Sequence, residues 1–150
     1  MSIKTIFLDR DGVINKEIDY LINISDFQFI TGVFDTCKYL NYLGYKIIIV
    51  TNQSGISRGY YTENDFDILT SWMITQFEKN GVEILDVLFC PHNSNENCQC
   101  RKPMPGMFLK AKDMYEIDMI NSWLIGDKES DIIAANNSGI INTIMVRSGH

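Results

Sequence analysis

Phe7-Leu8-Asp9-Arg10-Asp11-Gly12 places two carboxylates directly behind a short apolar run, Ile3 to Leu8, with Lys4 and Thr5 inside it. The run reads as a first β-strand, and Gly12 with Asn15 reads as the start of the loop beyond it. Aspartates at the C-terminal end of a strand stand where open α/β sheets bind their ligands. The stretch taken alone also reads as a polar turn with Asp9 and Asp11 as turn formers. The rest of the chain decides between the two.

Working outward, the same arrangement returns. Ile47, Ile48, Ile49 and Val50 form a continuous β-branched run inside a strand over 46–51, the pattern of a strand covered on both faces. Thr51-Asn52-Gln53-Ser54-Gly55 follows it at once. Ile84 to Phe89 reads as a third strand, Ser122 to Ile125 as a fourth ended by Gly126-Asp127-Lys128, and Ile140 to Val146 as a last one. Helical patterns fill the intervals. Val33, Cys37, Leu40 and Phe34 form an apolar stripe between Gly32 and Leu43. Phe66, Leu69, Met73 and Phe77 form another behind a Thr62 cap, with Asp65 in place of the usual Glu or Gln. Met107, Phe108, Ala111 and Met114 form a third, with Pro105 in its first turn, and a fourth helix spans 129–137. Between Gly12 and Thr31 lies a long excursion carrying Glu17, Asp19, Tyr20 and Asp26, in which Phe27, Phe29 and Ile30 act as a short extended piece or an anchor. This alternation predicts an α/β fold: a three-layer, Rossmann-like, mostly parallel sheet in a single domain over 1–150, with no large cap domain. Right-handed crossovers would gather Asp9, Thr51 and Asp127 at one edge.

Composition narrows the function. At 150 residues and 45% hydrophobic, the chain can bury one sizeable core. A net charge of -6 disfavours nucleic acid as a partner, since such binding rests on neutralising phosphates with Lys and Arg. No run is long and apolar enough to span a membrane, and the N-terminus does not read as a signal peptide. The expectation is a cytoplasmic monomer with no membrane partner.

Two groups of residues carry chemistry. Asp9, Asp11, Thr51, Lys102 and Asp127 stand after predicted strands or just after the cysteine loop. Such a set suits phosphoryl transfer: a carboxylate nucleophile, a second carboxyl for proton transfer, oxygen ligands for Mg²⁺, and a hydroxyl and an ammonium for the transferring oxygens. Loop caps and surface ion pairs are the competing reading. The second group is Cys90-Pro91-His92 with Cys98-Gln99-Cys100. Three thiolates and an imidazole match the closed tetrahedral ligand set of structural Zn²⁺. Their spacing is tighter than that of common zinc-finger halves, and the alternative is a loop of reduced thiols. A zinc-bound loop over 90–100 would hold Arg101 and Lys102 toward a phosphate. Cys37, on its helical stripe, reads as core.

These segments together resemble the haloacid-dehalogenase-like phosphatases, and within them the group of histidinol phosphatases and heptose-bisphosphate phosphatases. Phe7 to Gly12 with Asn15 resembles the first motif of that family, and Val50 to Ile56 with Arg58-Gly59 the second. Cys90-Pro91-His92 and Cys98 through Pro103 resemble the zinc loop and third motif, and Gly126-Asp127-Lys128 with Asp131 the fourth. The resemblance implies Asp9 as nucleophile, forming an aspartyl-phosphate, and Asp11 as general acid and then general base. It implies Mg²⁺ held by the Asp9 carboxylate, the Asp11 backbone carbonyl and Asp127. Thr51 and Lys102 would bind the phosphate, Lys102 also restraining Asp9, with Lys128 beside the metal. Asp131 would support the fourth-motif loop. Asn52, Gln53, Ser54 and Arg101 would line the substrate mouth with Glu17, Asp19 and Tyr20.

Within the group, Gln53 to Gly59, Lys102 to Met107 and Val146 to Gly149 most resemble the heptose-bisphosphate phosphatases, which implies a small phosphorylated sugar as substrate and specifically hydrolysis of the 7-phosphate of D-glycero-D-manno-heptose 1,7-bisphosphate. The short loop from Asn93 to Asn97 points instead to histidinol phosphate. The chain ends directly after its last predicted strand, where relatives often continue into another helix. A phosphomutase and a non-hydrolytic phosphosugar-binding module are the remaining alternatives.

Overall fold

The computed structural model describes residues 2–147, and within them parallel strands alternate with helices. The elements are β1 (Thr5–Leu8), α1 (Val33–Tyr42), β2 (Lys46–Asn52), α2 (Glu63–Lys79), β3 (Asp86–Cys90), α3 (Gly106–Tyr115), β4 (Trp123–Gly126), α4 (Glu129–Asn137) and β5 (Asn142–Met145). All pair in parallel, in the order β3-β2-β1-β4-β5. The chain therefore builds one half of the sheet outward from β1 and then restarts on its other side. That reversal leaves a crevice beyond the C-terminal ends of β1 and β4, the usual ligand position in such sheets.

The β-branched run of β2 explains the layering. Ile47, Ile48, Ile49 and Val50 are all fully buried, and alternate residues face opposite sides of the sheet. Ile47 and Ile49 pack with Cys37 of α1 and with Leu69, Met73 and Phe77 of α2. Ile48 and Val50 pack with Phe108 and Ala111 of α3 and with Ala134 and Ala135 of α4. The expected three layers are present, and among the described residues no inserted domain interrupts them. Thr62 does close a full capping box with Asp65: the Asp65 amide donates to Thr62 Oγ1 at 3.1 Å and the Thr62 amide donates to Asp65 Oδ2 at 2.9 Å. Among the described residues no helix is long and apolar enough to cross a membrane.

Several local expectations change. The third strand includes Cys90, so the cysteine cluster begins inside the sheet. Pro105 caps α3 rather than entering its first turn. Met114 is not a core residue, being 52% exposed; the apolar line runs from Met107 through Ala111 to Tyr115, whose hydroxyl donates to Asp86 at 2.6 Å. The first loop is anchored, as one of its two expected readings has it. Phe29 makes an isolated antiparallel bridge to Asn15 and packs among Phe27, Phe34, Trp72 and Phe77. Ser148 and Gly149 of the C-terminal segment lie outside the described residues.

Candidate active site

Asp9 leaves β1 with its amide bonded to the Ile125 carbonyl of β4 at 3.1 Å, which seats it over the crevice between those strands. Its carboxylate is buried and meets Lys102, with Nζ 2.9 Å from Oδ1. Lys102 Nζ also donates to Asp131 at 2.6 Å and to the Val50 carbonyl at 3.0 Å. Three acceptors thus match the three protons of the ammonium. Burial alone would lower the pKa of Lys102, but Asp9 and Asp131 outweigh it and hold the group above its ordinary value. For Asp9 burial pushes the carboxyl well up; Lys102 opposes this, while Asp131 and a hydrogen bond with Asp127 add to it.

Asp9, Asp127 and Asp131 bring carboxylate oxygens within 4.8 Å of one another. Both Asp131 oxygens are already engaged, one by Lys102 and one by the backbone amides of Asp127 and Lys128 at 3.2 Å each. Asp131 is therefore a scaffold for Lys102 and for the loop after β4. Gly12, at φ 89°, is required here because a Cβ would run into Asp127 Oδ2. Three carboxylates around one ammonium leave excess negative charge, and the hard oxygen donors of Asp9 and Asp127 fit a cation such as Mg²⁺.

The side chain of Asp11 points elsewhere. Arg10 donates to it through Nε at 3.0 Å and Nη2 at 2.9 Å, Asn15 Nδ2 at 3.0 Å, and Gln53 Nε2 at 3.3 Å. Arg10 is itself only 1% exposed and lies against the Phe66 ring, so Asp11 is the counter-charge that makes its burial tolerable. Thr51 is buried and accepts from Gln53 Nε2 at 2.9 Å. Asn52 uses both ends of its amide on the Lys102 backbone, accepting from its N–H at 3.0 Å and donating to its carbonyl at 3.2 Å. Asn52 and Gln53 border the cavity, but their polar atoms hold the site together rather than facing the mouth freely.

A cavity of about 470 Å³ gathers Asp9, Asp11, Thr51, Asn52, Gln53 and Lys102 at its base, and Glu17, Asp19, Tyr20, Ser54, Arg101 and Lys128 toward its opening. Lys128 pairs with Glu17 at 3.0 Å. Exposed Tyr20 stands edge-on to Tyr60 at 4.7 Å between ring centroids. Arg101 donates to the His92 carbonyl at 3.3 Å. All the proposed substrate-site residues thus border one space. Arg10, Tyr61 and the Lys102–Asp131 pair were not anticipated. Arg10 had a sequence signal, a cation between two aspartates; Tyr61 had none.

Beside this cavity, Cys90, His92, Cys98 and Cys100 bring one donor atom each within 4.8 Å of the others. His92 Nδ1 lies 3.4 Å from Cys90 Sγ and 3.3 Å from Cys100 Sγ, and Cys90 Sγ lies 3.6 Å from Cys98 Sγ. Ligands around a tetrahedral zinc ion stand roughly 3.3–3.8 Å apart, so these pairs fit; Cys90 and Cys100, at 2.6 Å, would have to separate. Burial raises the Cys98 thiol, but hydrogen bonds from the backbone of Arg101 and from the neighbouring thiols outweigh it and bring its pKa to about 7. Gly106 closes the loop: its amide donates to the Gln99 carbonyl at 2.8 Å, and a Cβ would meet that carbonyl.

A parallel sheet reversing at β1, with one buried aspartate clamped by lysine and a second held apart two residues later, is the architecture of the haloacid-dehalogenase-like phosphatases. The HAD-hydrolase-like family matches residues 99–150. D-glycero-beta-D-manno-heptose-1,7-bisphosphate 7-phosphatase of Vibrio cholerae is 47% identical, over 99% of this chain and 84% of its own length. D-glycero-alpha-D-manno-heptose-1,7-bisphosphate 7-phosphatase of Campylobacter jejuni is 48% identical, over 97% of this chain and 84% of its own. The crystal structure of D,D-heptose 1,7-bisphosphate phosphatase from B. bronchiseptica, complexed with magnesium and phosphate, superposes with a TM-score of 0.91 at 28% identity, covering 98% of this chain and 82% of that one. The chain belongs to the D-glycero-D-manno-heptose-1,7-bisphosphate 7-phosphatase family.

Proposed function

We propose that this chain is a single-domain phosphatase that removes the 7-phosphate of D-glycero-D-manno-heptose 1,7-bisphosphate through an aspartyl-phosphate on Asp9. The observation that carries the reading is the clamped Asp9 carboxylate, 2.9 Å from Lys102 at the base of a polar cavity, in a chain whose relatives are named for that reaction. Lys102 fixes one oxygen of Asp9 and so orients the carboxylate for attack on phosphorus. As the P–O bond to the sugar breaks, Asp11 gives a proton to the departing oxygen. It then takes a proton from the water that attacks the aspartyl-phosphate, releasing phosphate and restoring Asp9. Thr51 would bond the transferring oxygens, and Lys102, its protons engaged by Asp9, Asp131 and the Val50 carbonyl, would stabilise them through its charge. The Asp9 and Asp127 carboxylates and the Asp11 carbonyl would hold Mg²⁺, which when bound neutralises charge between nucleophile and phosphate.

The rim suits a sugar carrying a second phosphate. Arg101 and Lys128 supply cations there, and Glu17, Asp19 and Ser54 supply hydroxyl partners. Cys90, His92, Cys98 and Cys100 would hold a structural Zn²⁺ whose loop delivers Arg101 and Lys102. A panel of the α and β heptose 1,7-bisphosphates and histidinol phosphate, each with excess Mg²⁺, tests the reading. Release of one phosphate per heptose bisphosphate, with kcat/KM at least about 100-fold above that for histidinol phosphate, is expected. A preference for histidinol phosphate overturns the substrate assignment.

A further inference from the structure

Tyr61 follows the second-motif loop and forms part of the cavity wall, although only 6% exposed. Its hydroxyl lies 2.5 Å from Gln53 Oε1. Gln53, 3% exposed, turns its other end to Thr51 Oγ1 at 2.9 Å and Asp11 Oδ2 at 3.3 Å. An amide has one accepting and one donating end, and only one orientation serves both sides. Burial pushes the Tyr61 phenol up to about 12, so it stays an O–H donor at neutral pH. The Asp11 carboxylate only accepts, so Nε2 faces it and Thr51, and the Tyr61 hydroxyl donates to the Oε1 that remains. The reversed amide would set an acceptor against the Asp11 carboxylate. Gly55 is the residue that admits this contact, because a Cβ at that position would run into the Tyr61 ring.

We infer that Tyr61 is a positioning residue which, by fixing the Gln53 amide, holds the Asp11 carboxylate and the Thr51 hydroxyl in one arrangement. Arg10 and Asn15 reach Asp11 from its own loop. Gln53 reaches it from the end of β2, and so ties the proton-transfer group to the phosphate-binding hydroxyl. The inference rests on the proposed role of Asp11 as the acid for the leaving oxygen.

Leaving-group dependence separates the two. A sugar alkoxide needs a proton to depart, whereas p-nitrophenolate does not. The kcat/KM of each variant is measured on heptose 1,7-bisphosphate and on p-nitrophenyl phosphate with saturating Mg²⁺. Asp11→Asn should depress the sugar ester far more than the aryl ester; equal losses mean that the Asp11 role itself is wrong. With that selectivity in place, Tyr61→Phe should depress the sugar ester about fivefold more than the aryl ester, the scale of one hydrogen bond, through kcat more than KM. Gln53→Leu should give the same selective pattern, and it carries the test if the Tyr61 variant does not fold. Adding Tyr61→Phe to Gln53→Leu should cost nothing further, since Tyr61 acts through Gln53. Equal losses on both esters, no loss, or multiplying losses in the double variant overturn the inference.

Discussion

The base and the rim of the cavity are held by different physics. At the base, Asp9, Lys102 and Asp131 are 7%, 4% and 1% exposed and are joined by ion pairs of 2.9 and 2.6 Å. Asp9 stands at the end of β1, Lys102 on the loop before α3 and Asp131 in the first turn of α4, all against a core packed on both faces of the sheet. At the rim, the Glu17–Lys128 pair has Lys128 side-chain exposure of 56%, and Tyr20 meets Tyr60 in the open. Buried pairs lose several kcal/mol when one partner is removed, while exposed pairs contribute about 0–1 kcal/mol. Reactive groups thus sit where displacement is costly, and substrate-facing groups sit where change is cheap.

Breaking the base should produce the largest effects. Asp9→Asn removes the nucleophile and should lower phosphate release by about 10⁴-fold or more, with the fold retained. Turnover that survives this change means that Asp9 does not attack phosphorus. Lys102→Met leaves Asp9 and Asp131 facing each other without their shared cation. A stability loss of about 3 kcal/mol in denaturant unfolding, with a large fall in turnover, is expected. A loss below about 1 kcal/mol would mean that the strands alone hold the base.

The contrast also explains what could be read from sequence. The β-branched run Ile47 to Val50 and the polar stretches behind it were legible because strand period and turn chemistry are local. So were the three apolar stripes, except that α3 continues its line at Tyr115 rather than Met114. The gathering of Asp9, Thr51, Lys102 and Asp127 required the parallel alternation and, for individual roles, the family resemblance. The Lys102–Asp131 pair was not legible, because it depends on the strand order that brings β4 beside β1. Asn52 was expected at the mouth for the same reason: sequence does not show that its amide is spent on the Lys102 backbone.

The cysteine–histidine loop leads from β3 to Arg101 at the rim and Lys102 at the base. Cys90 ends β3 inside the core, whereas Cys98 and Cys100 lie on a loop with exposed neighbours. Metal analysis should find one tightly held zinc per chain. Its removal by a chelator, followed by Mg²⁺ replenishment, should lower turnover about tenfold while far-UV circular dichroism changes little, since the sheet core does not depend on the loop. Zinc-free native protein with full activity would remove the metal from the account.

Glu17→Gln probes the rim with the smallest expected effect. Lys128 gains an upward pKa shift from Glu17 against a burial cost, but its exposure leaves the pair screened by solvent. Stability should change by less than about 0.5 kcal/mol. The consequence belongs in binding: glutamine keeps one accepting oxygen but replaces the other with a donating NH₂ and loses the charge, so one of the two acceptors for a sugar hydroxyl is gone and KM for the sugar bisphosphate should rise about two- to fivefold with kcat nearly unchanged. A fall in kcat without a rise in KM would place Glu17 with the reacting groups, and the division between a rigid base and a changeable rim would have to be redrawn around Lys128.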